Sequence, residues 1–212
     1  MIPTDGVTRR ISVSADRQRA NGDSYYPAIT ADGRRVAFVS MATNLDDDAR
    51  ATPQENVYLY DEATSRLTLL SRSAGGGVAD GASRHPAISA DGRYVLFSSE
   101  ASNLHCAGRC GAAADLNLVA DIYRLDTRTG VAERISGRPF ERAPWWNASS
   151  GAASDGSGRV VAFSSREPLD DADLDHDDDL YVAAWPGPAA AGAAGAAGGQ
   201  PCPPGVAGSP PE

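Results

Sequence analysis

The run PAITADGRRVAF beginning at Pro27 returns as PAISADGRYVLF beginning at Pro86, a spacing of 59 residues. The register holds from Ser12/Ser71 through Gly22/Gly81, Asp32/Asp91, Phe38/Phe97 and Asn44/Asn103. An insertion then widens it to 65 for Tyr58/Tyr123 and Asp61/Asp126. A third, weaker copy reads GAASDGSGRVVAFSSREPL, with Asp155, Gly156, Arg159 and Phe163 in matching places, followed by DLYVAAW where the earlier copies have NVYLYD and DIYRLD. Repetition at this period confines the chain to architectures that stack one small unit several times.

Each copy divides into four short strands. In the first copy strand a is Pro27 to Thr30, Asp32-Gly33 signals a tight turn, and strand b is Arg35 to Ser40. Strand c is Val57 to Tyr60 and strand d is Leu67 to Ser71. Strand b is apolar at consecutive positions, with Val36 and Phe38 alternating against Ala37 and Val39, as suits a strand covered on both faces. The content of 22 Gly and 14 Pro agrees with many turns and short strands. The expected fold class is all-β, a partial β-propeller of about three four-stranded antiparallel blades. Residues 1–13 read as the outer strand of a preceding blade, because TRRISVS aligns with LTLLSRS. The blades span 27–71, 86–136 and 150–185. The third lacks its outer strand, since Pro186-Gly187-Pro188 follows Trp185 directly. Residues 186–212, rich in Ala, Gly and Pro, read as a disordered tail.

The run P-A-I-S-x-D-G-R-x-V-x-F-x-S, the Asn-Leu that follows it and the D-I-Y-x-x-D strand are similar to the TolB-like β-propeller repeat, over about Thr8 to Trp185. The resemblance implies a radial array of blades used mainly as a binding platform, in bacterial proteins that are periplasmic or secreted. Met1 to Arg10 contains no apolar signal-peptide core, and no stretch has the length of a membrane span.

Composition removes several chemistries. The 19 basic residues are all arginine, which excludes a Walker A loop, a Schiff base and a Ser/Lys dyad. Seven of the ten residues from Asp170 to Asp179 are aspartate, so of the net charge of −9 only −2 belongs to the rest of the chain. Such a body offers no basic stripe for nucleic acid.

In an up-and-down blade the b–c and d–a connections share one end, and here they are the long ones: Met41 to Glu55, Arg72 to His85, Glu100 to Ala120, Gly137 to Ser150 and Arg166 to Asp178. That end is the candidate binding face, with His85, Trp145 and Trp146 as candidate contacts. The competing reading has His85 packed or merely solvated and the tryptophans filling the gap between blades. Asp171, Asp173, Asp175 and Asp177 alternate and could present carboxylates to Ca²⁺, the one candidate cofactor. They form no EF-hand, because His176 stands where Gly is required and Val182 where Glu is required. A solvated, self-repelling charge run is the competing reading. Cys106 and Cys110 could form a loop disulfide in an oxidising compartment, whereas with His105 they make an incomplete zinc set.

No nucleophile elbow, His-Glu-x-x-His or phosphate loop is present. The leading expectation is a non-catalytic binding or scaffold module that contacts a protein or peptide through its long-loop face. The alternatives are a fragment of a propeller hydrolase or lyase, the propeller of a prolyl-oligopeptidase-type enzyme, and a degenerate fragment without function. For assembly, the alternatives are a piece of a longer propeller, an open arc, and a homodimer in which Thr8 to Val13 is exchanged to complete the partner's third blade.

Overall fold

Short apolar runs separated by reversing turns pair into three antiparallel sheets. The computed structural model describes residues 6, 8–46, 53–73, 75–104, 119–136, 148–170, 175 and 177–184. The first sheet holds, in spatial order, β1 (Ser24–Ile29), β2 (Arg35–Ser40), β3 (Asn56–Asp61) and β4 (Arg66–Leu69). The second holds β5 (Ser83–Ile88), β6 (Tyr94–Ser99), β7 (Asp121–Asp126) and β8 (Val131–Arg134). The third holds β9 (Ser149–Ser154), β10 (Val160–Ser165) and β11 (Asp179–Ala184). Among the described residues the third sheet has three strands, so β11 is its edge. No described helix is long and apolar enough to cross a membrane.

The central strands of the first two sheets are buried on both sides, while β10 buries one face, and alternation decides which neighbour each residue meets. Ala37 and Val39 join Val57 and Leu59 in a core with Val95, Phe97, Tyr123 and Leu125 of the second sheet. Phe38 and Tyr58 point the other way and are covered by Ile11, Ala20, Leu45 and Val78. The second sheet repeats the arrangement, with Leu96 and Ile122 packed on Val161 and Phe163 of the third. Each blade carries a stacked Phe–Tyr pair on one face: Phe38–Tyr58 at 5.9 Å, Phe97–Tyr123 at 6.0 Å and Phe163–Tyr181 at 6.0 Å. The first strands β1, β5 and β9 lie side by side across the sheet boundaries, which makes them the inner strands of the stack.

The a–b turns join the blades to one another. Thr30 N donates to Arg35 O at 3.0 Å, Gly33 N donates to Thr30 O at 2.9 Å, and Asp32 accepts from Thr30 Oγ1 at 2.6 Å and from Arg34 N at 3.0 Å. Ser89 and Asp91 repeat this in the second blade. Ala31 N then donates to Ala90 O at 3.2 Å, and Ala90 N to Gly156 O at 2.9 Å, linking the three turns in series. The third turn differs from the sequence alignment of Asp155-Gly156 with Asp91-Gly92. Asp155 stands in the place of Ser89 and accepts from Arg159 N and Val160 N, while Gly158 takes the role of Gly92. The DGSG turn, equal in length to SADG, supplies the same geometry with its Asp and Gly in shifted places.

At the other end of the first two blades an Asn-Leu pair closes the long loops. Asn44 Oδ1 accepts from Asn21 N at 3.0 Å, and Asn103 Oδ1 accepts from Asp80 N at 3.0 Å, while Leu45 and Leu104 are buried. At the start of the chain, Thr8–Ser12 joins no sheet of the described residues, Arg9 pairs with Glu62 at 2.5 Å, and Val13 makes an isolated bridge to Arg19. Ile11 and Ala20 nevertheless bury themselves on the first blade in the places that Leu70 and Ala79 take on the second.

Gly158 has φ +68°, and a Cβ there would lie 2.7 Å from Tyr94 of the preceding blade, whereas Gly130, with φ +72°, faces open space. Gly130→Ala should therefore cost roughly 1 kcal/mol from backbone strain alone. Gly158→Ala should cost clearly more, because the turn must also move away from its neighbour. Urea midpoints of the two variants measure the difference, and equal losses would contradict a tight blade-to-blade approach at this turn.

Candidate functional site

Each inner strand carries a bulge at the same place. Between Tyr25↔Val39 and Ala28↔Ala37, two residues of β1 face one of β2, and the same shift occurs between Arg84 and Ala87 in β5 and in β9 opposite Ala162 and Ser164. The first bulged residue has a left-handed backbone: Tyr26 at φ 52°, His85 at φ 51° and Gly151 at φ 67°. Glycine is the residue this conformation favours. Two blades instead hold a tyrosine and a histidine there, each followed by a proline that supplies no ladder donor.

The bulges turn these two side chains toward each other. The Tyr26 and His85 rings lie 4.8 Å apart at 45°, and Tyr25 meets Tyr26 edge-on at 5.1 Å and 82°. Tyr26 is 50% exposed, and His85 is exposed. Beneath them Glu55, just before β3, accepts hydrogen bonds from Tyr25 Oη and Arg84 Nε, and Arg84 Nη1 donates to Glu100 Oε1 at 2.6 Å. The Glu55 backbone carbonyl accepts from Ser83 N at 2.8 Å, which fixes the acid between the two blades. Because Glu55 and Glu100 flank the long b–c loops, the cluster sits at the long-loop end of the inner strands.

The electrostatics hold this base rigid. Burial pushes the Glu55 carboxyl up, but the hydrogen bonds from Tyr25 and Arg84 and the arginine charge outweigh it, so its pKa lies below the ordinary 4.5. Burial, followed by the hydrogen bond to Glu55 and its charge, pushes Tyr25 up to about 12. Arg84 loses by burial but gains more from its two carboxylates, and its pKa is raised.

His85 thus lies within β5, on the inner surface, and not in the d–a loop that sequence alone assigned to it. Asp175 and Asp177 belong to one local turn, in which Asp177 N donates to Asp175 Oδ1 at 3.1 Å. Asp171, Asp173, Trp145, Trp146, Cys106 and Cys110 lie outside the described residues, as does 186–212. Among the described residues no group of three or more His, Cys, Asp or Glu side chains is placed to hold a metal ion. The sequence reading missed Tyr25, Tyr26, Arg84, Glu55 and Glu100. A usable signal was present: a bulky residue before proline inside a strand, at equivalent places in two repeats, marks a bulge.

Three radially stacked antiparallel sheets, inner strands together and joined in series by their turns, are blades. The chain is part of a β-propeller. Solved structures with this fold include one described as TolB from Agrobacterium tumefaciens, with 22% identity over 76% of this chain and 44% of that one and a TM-score of 0.43. TolB from Acinetobacter baumannii has 18% identity over 78% of this chain and 30% of that one, with a TM-score of 0.45. An oligogalacturonate lyase in complex with manganese has 16% identity, 84% and 38% coverage, and a TM-score of 0.43. The chain spans less than half the length of these proteins. No family model and no curated protein matches it.

The depressed Glu55 pKa has a defined consequence for stability. Its contribution is fully present above the ordinary carboxyl value of 4.5 and is lost as pH falls through the lower folded-state value. Glu55→Gln should flatten the fall of the urea midpoint below that pH, and it should bring one tyrosine titration down from about 12 toward 10.0. An unchanged acid limb together with an unchanged tyrosine titration would contradict the Tyr25–Glu55–Arg84 arrangement.

Proposed function

We propose that this chain is a non-catalytic recognition module that takes a protein or peptide partner at the long-loop end of its inner strands. The observation that carries the reading is the left-handed backbone of Tyr26 and His85. Non-glycine residues held in this conformation concentrate at binding and catalytic sites, where the side chain repays the strain. Here the strain presents two exposed rings at 4.8 Å, on a base of paired charges. Tyrosine supplies large amphipathic contact area with few rotatable bonds, which favours it as an anchor for polypeptide partners. The paired charges beneath leave the rings as the accessible anchors and restrict how a partner approaches them. The resemblance to the TolB-like repeat supports the same reading and, with it, a periplasmic or extracellular location.

Gly151 provides the test, because the third blade already uses glycine at the equivalent bulge. Tyr26→Gly and His85→Gly relieve the left-handed strain, so stability should stay within about 1 kcal/mol of the parent. Peptides selected from a displayed library on the parent protein should lose about tenfold or more in affinity on either variant. If the selected peptides bind the variants as tightly as the parent, this surface is not the recognition site.

A further inference from the structure

Building on the recognition site proposed above, we infer that its partner presents a cationic side chain, lysine or arginine, to the Tyr26 and His85 rings, held there by the carboxylates that flank them. The two junctions between blades share one scaffold. Ser83 N donates to Glu55 O at 2.8 Å at the first, and Ser149 N donates to Ala120 O at 2.7 Å at the second. Likewise Glu100 N donates to Ala82 O at 2.9 Å, and Arg166 N to Ala148 O at 3.4 Å. The side chains differ. By strand register, Ala120 and Arg166 at the second junction stand in the places of Glu55 and Glu100 at the first. Ser150 and Gly151 stand in the places of Arg84 and His85. The blades therefore stack without these acids and rings, and stacking does not account for their presence at the first junction.

What collects there is a surplus of negative charge beside exposed rings. Arg84 divides its guanidinium between Glu55 and Glu100, so two carboxylates share one cation. Burial and the hydrogen bond to Glu55 push Tyr25 up to about 12, so its phenol stays neutral and adds no charge of its own. The Glu100 side chain is 43% exposed, and Asp23, directly before β1, is exposed as well. Tyrosine rings attract cations through the negative potential of their faces, and mutually inclined rings, here at 82° and 45°, are the arrangement in which aromatic side chains surround a cation. Any other partner meets a cost. An anionic segment is repelled, and a neutral apolar one that covers the rings strips water from Glu100 with nothing in return. A lysine or arginine replaces that water with an ion pair while its stem packs on the rings.

The rest of this end carries the same sign. Asp170, Asp175, Asp177 and Asp178 lie in the connection from β10 to β11, at the end that also holds Glu55 and Glu100, where Arg166 pairs with Asp178 at 3.2 Å. At the opposite end the a–b turns are balanced, since Asp32, Asp91 and Asp155 are each answered by an arginine of the same turn, Arg34, Arg93 and Arg159. A basic segment is thus steered toward the long-loop end and not toward the turns.

Peptides selected from a displayed library on the parent chain should share a lysine or an arginine. Norleucine in place of that lysine, or citrulline in place of that arginine, keeps the stem and removes the charge, and it should weaken binding to the unaltered chain about tenfold. Glu100→Gln retains an acceptor for Arg84 and should weaken the charged peptide about threefold or more, while the uncharged peptide barely responds, a coupling that a merely structural role of Glu100 does not produce. Raising NaCl from about 0.05 M to about 0.5 M should weaken the charged peptide as well. Selected peptides that need Tyr26 and His85 but share no cation, equal effects of Glu100→Gln on the charged and uncharged peptides, or salt-insensitive binding of the charged peptide would each overturn the inference and leave the recognition site standing. Binding that ignores both Tyr26→Gly and His85→Gly would remove the site and the inference together.

Discussion

Two-sided burial of the central strands is the constraint on which the molecule depends. An antiparallel sheet with one wet face can stand alone on a single core, but β2 and β6 are apolar at successive positions and are covered by a neighbour on each side. Alternation then assigns the aromatic pair to one neighbour and smaller aliphatic residues to the other, so that each blade presents a different surface before and behind. Stability is consequently shared between blades, as in other repeat arrays where nearest-neighbour interfaces carry much of the folding energy. The exposed leucine and valine of β11 belong to the same design as the buried isoleucine of β7, and differ from it only in what lies next to them.

Polar groups set the spacing that the apolar faces then fill. The turn hydrogen bonds from Ala31 to Ala90 and from Ala90 to Gly156 hold one end of the stack, and Ser83 N on Glu55 O and Ser149 N on Ala120 O hold the other. Within each blade a serine pair, Ser24–Ser40, Ser83–Ser99 and Ser149–Ser165, ties strand a to strand b and offers an acceptor to the residue entering the long loop. These groups lie near the converging inner strands, where space for side chains is least, and small hydroxyls satisfy backbone donors there without widening the stack. The candidate recognition site grows from this frame. Tyr26 and His85 project from bulges in otherwise paired strands, and the frame holds both bulges at a fixed separation.

Much of the fold was legible in the chain itself. A repeat at 59 residues, an apolar strand with two faces, and Asp-Gly turns are local properties, and local properties lead to short strands, antiparallel pairing and the division into three sheets. The same reasoning placed Ile11 in the position of Leu70, because the repeat register extends back to Ser12/Ser71. The third a–b turn was misaligned because Asp and Gly recur within DGSG, and only the hydrogen bonds distinguish which pair closes the loop.

The site was less legible, for a physical reason. Which residues form sheets depends on the pattern of each segment, and a single chain records that pattern completely. Which side chains meet across blades depends on where inner strands converge and on a left-handed backbone at one residue, and neither leaves a periodic trace. Tyr26 and His85 are 59 residues apart in the chain and 4.8 Å apart in space. Glu55 reached its partners through a loop whose path no local rule specifies. The sequence by itself determined the blades, their order and the faces they hide. The tertiary structure alone decided that two tyrosines, a histidine, an arginine and two glutamates from separate segments share one surface, because only the radial stacking of the blades brings their inner strands together.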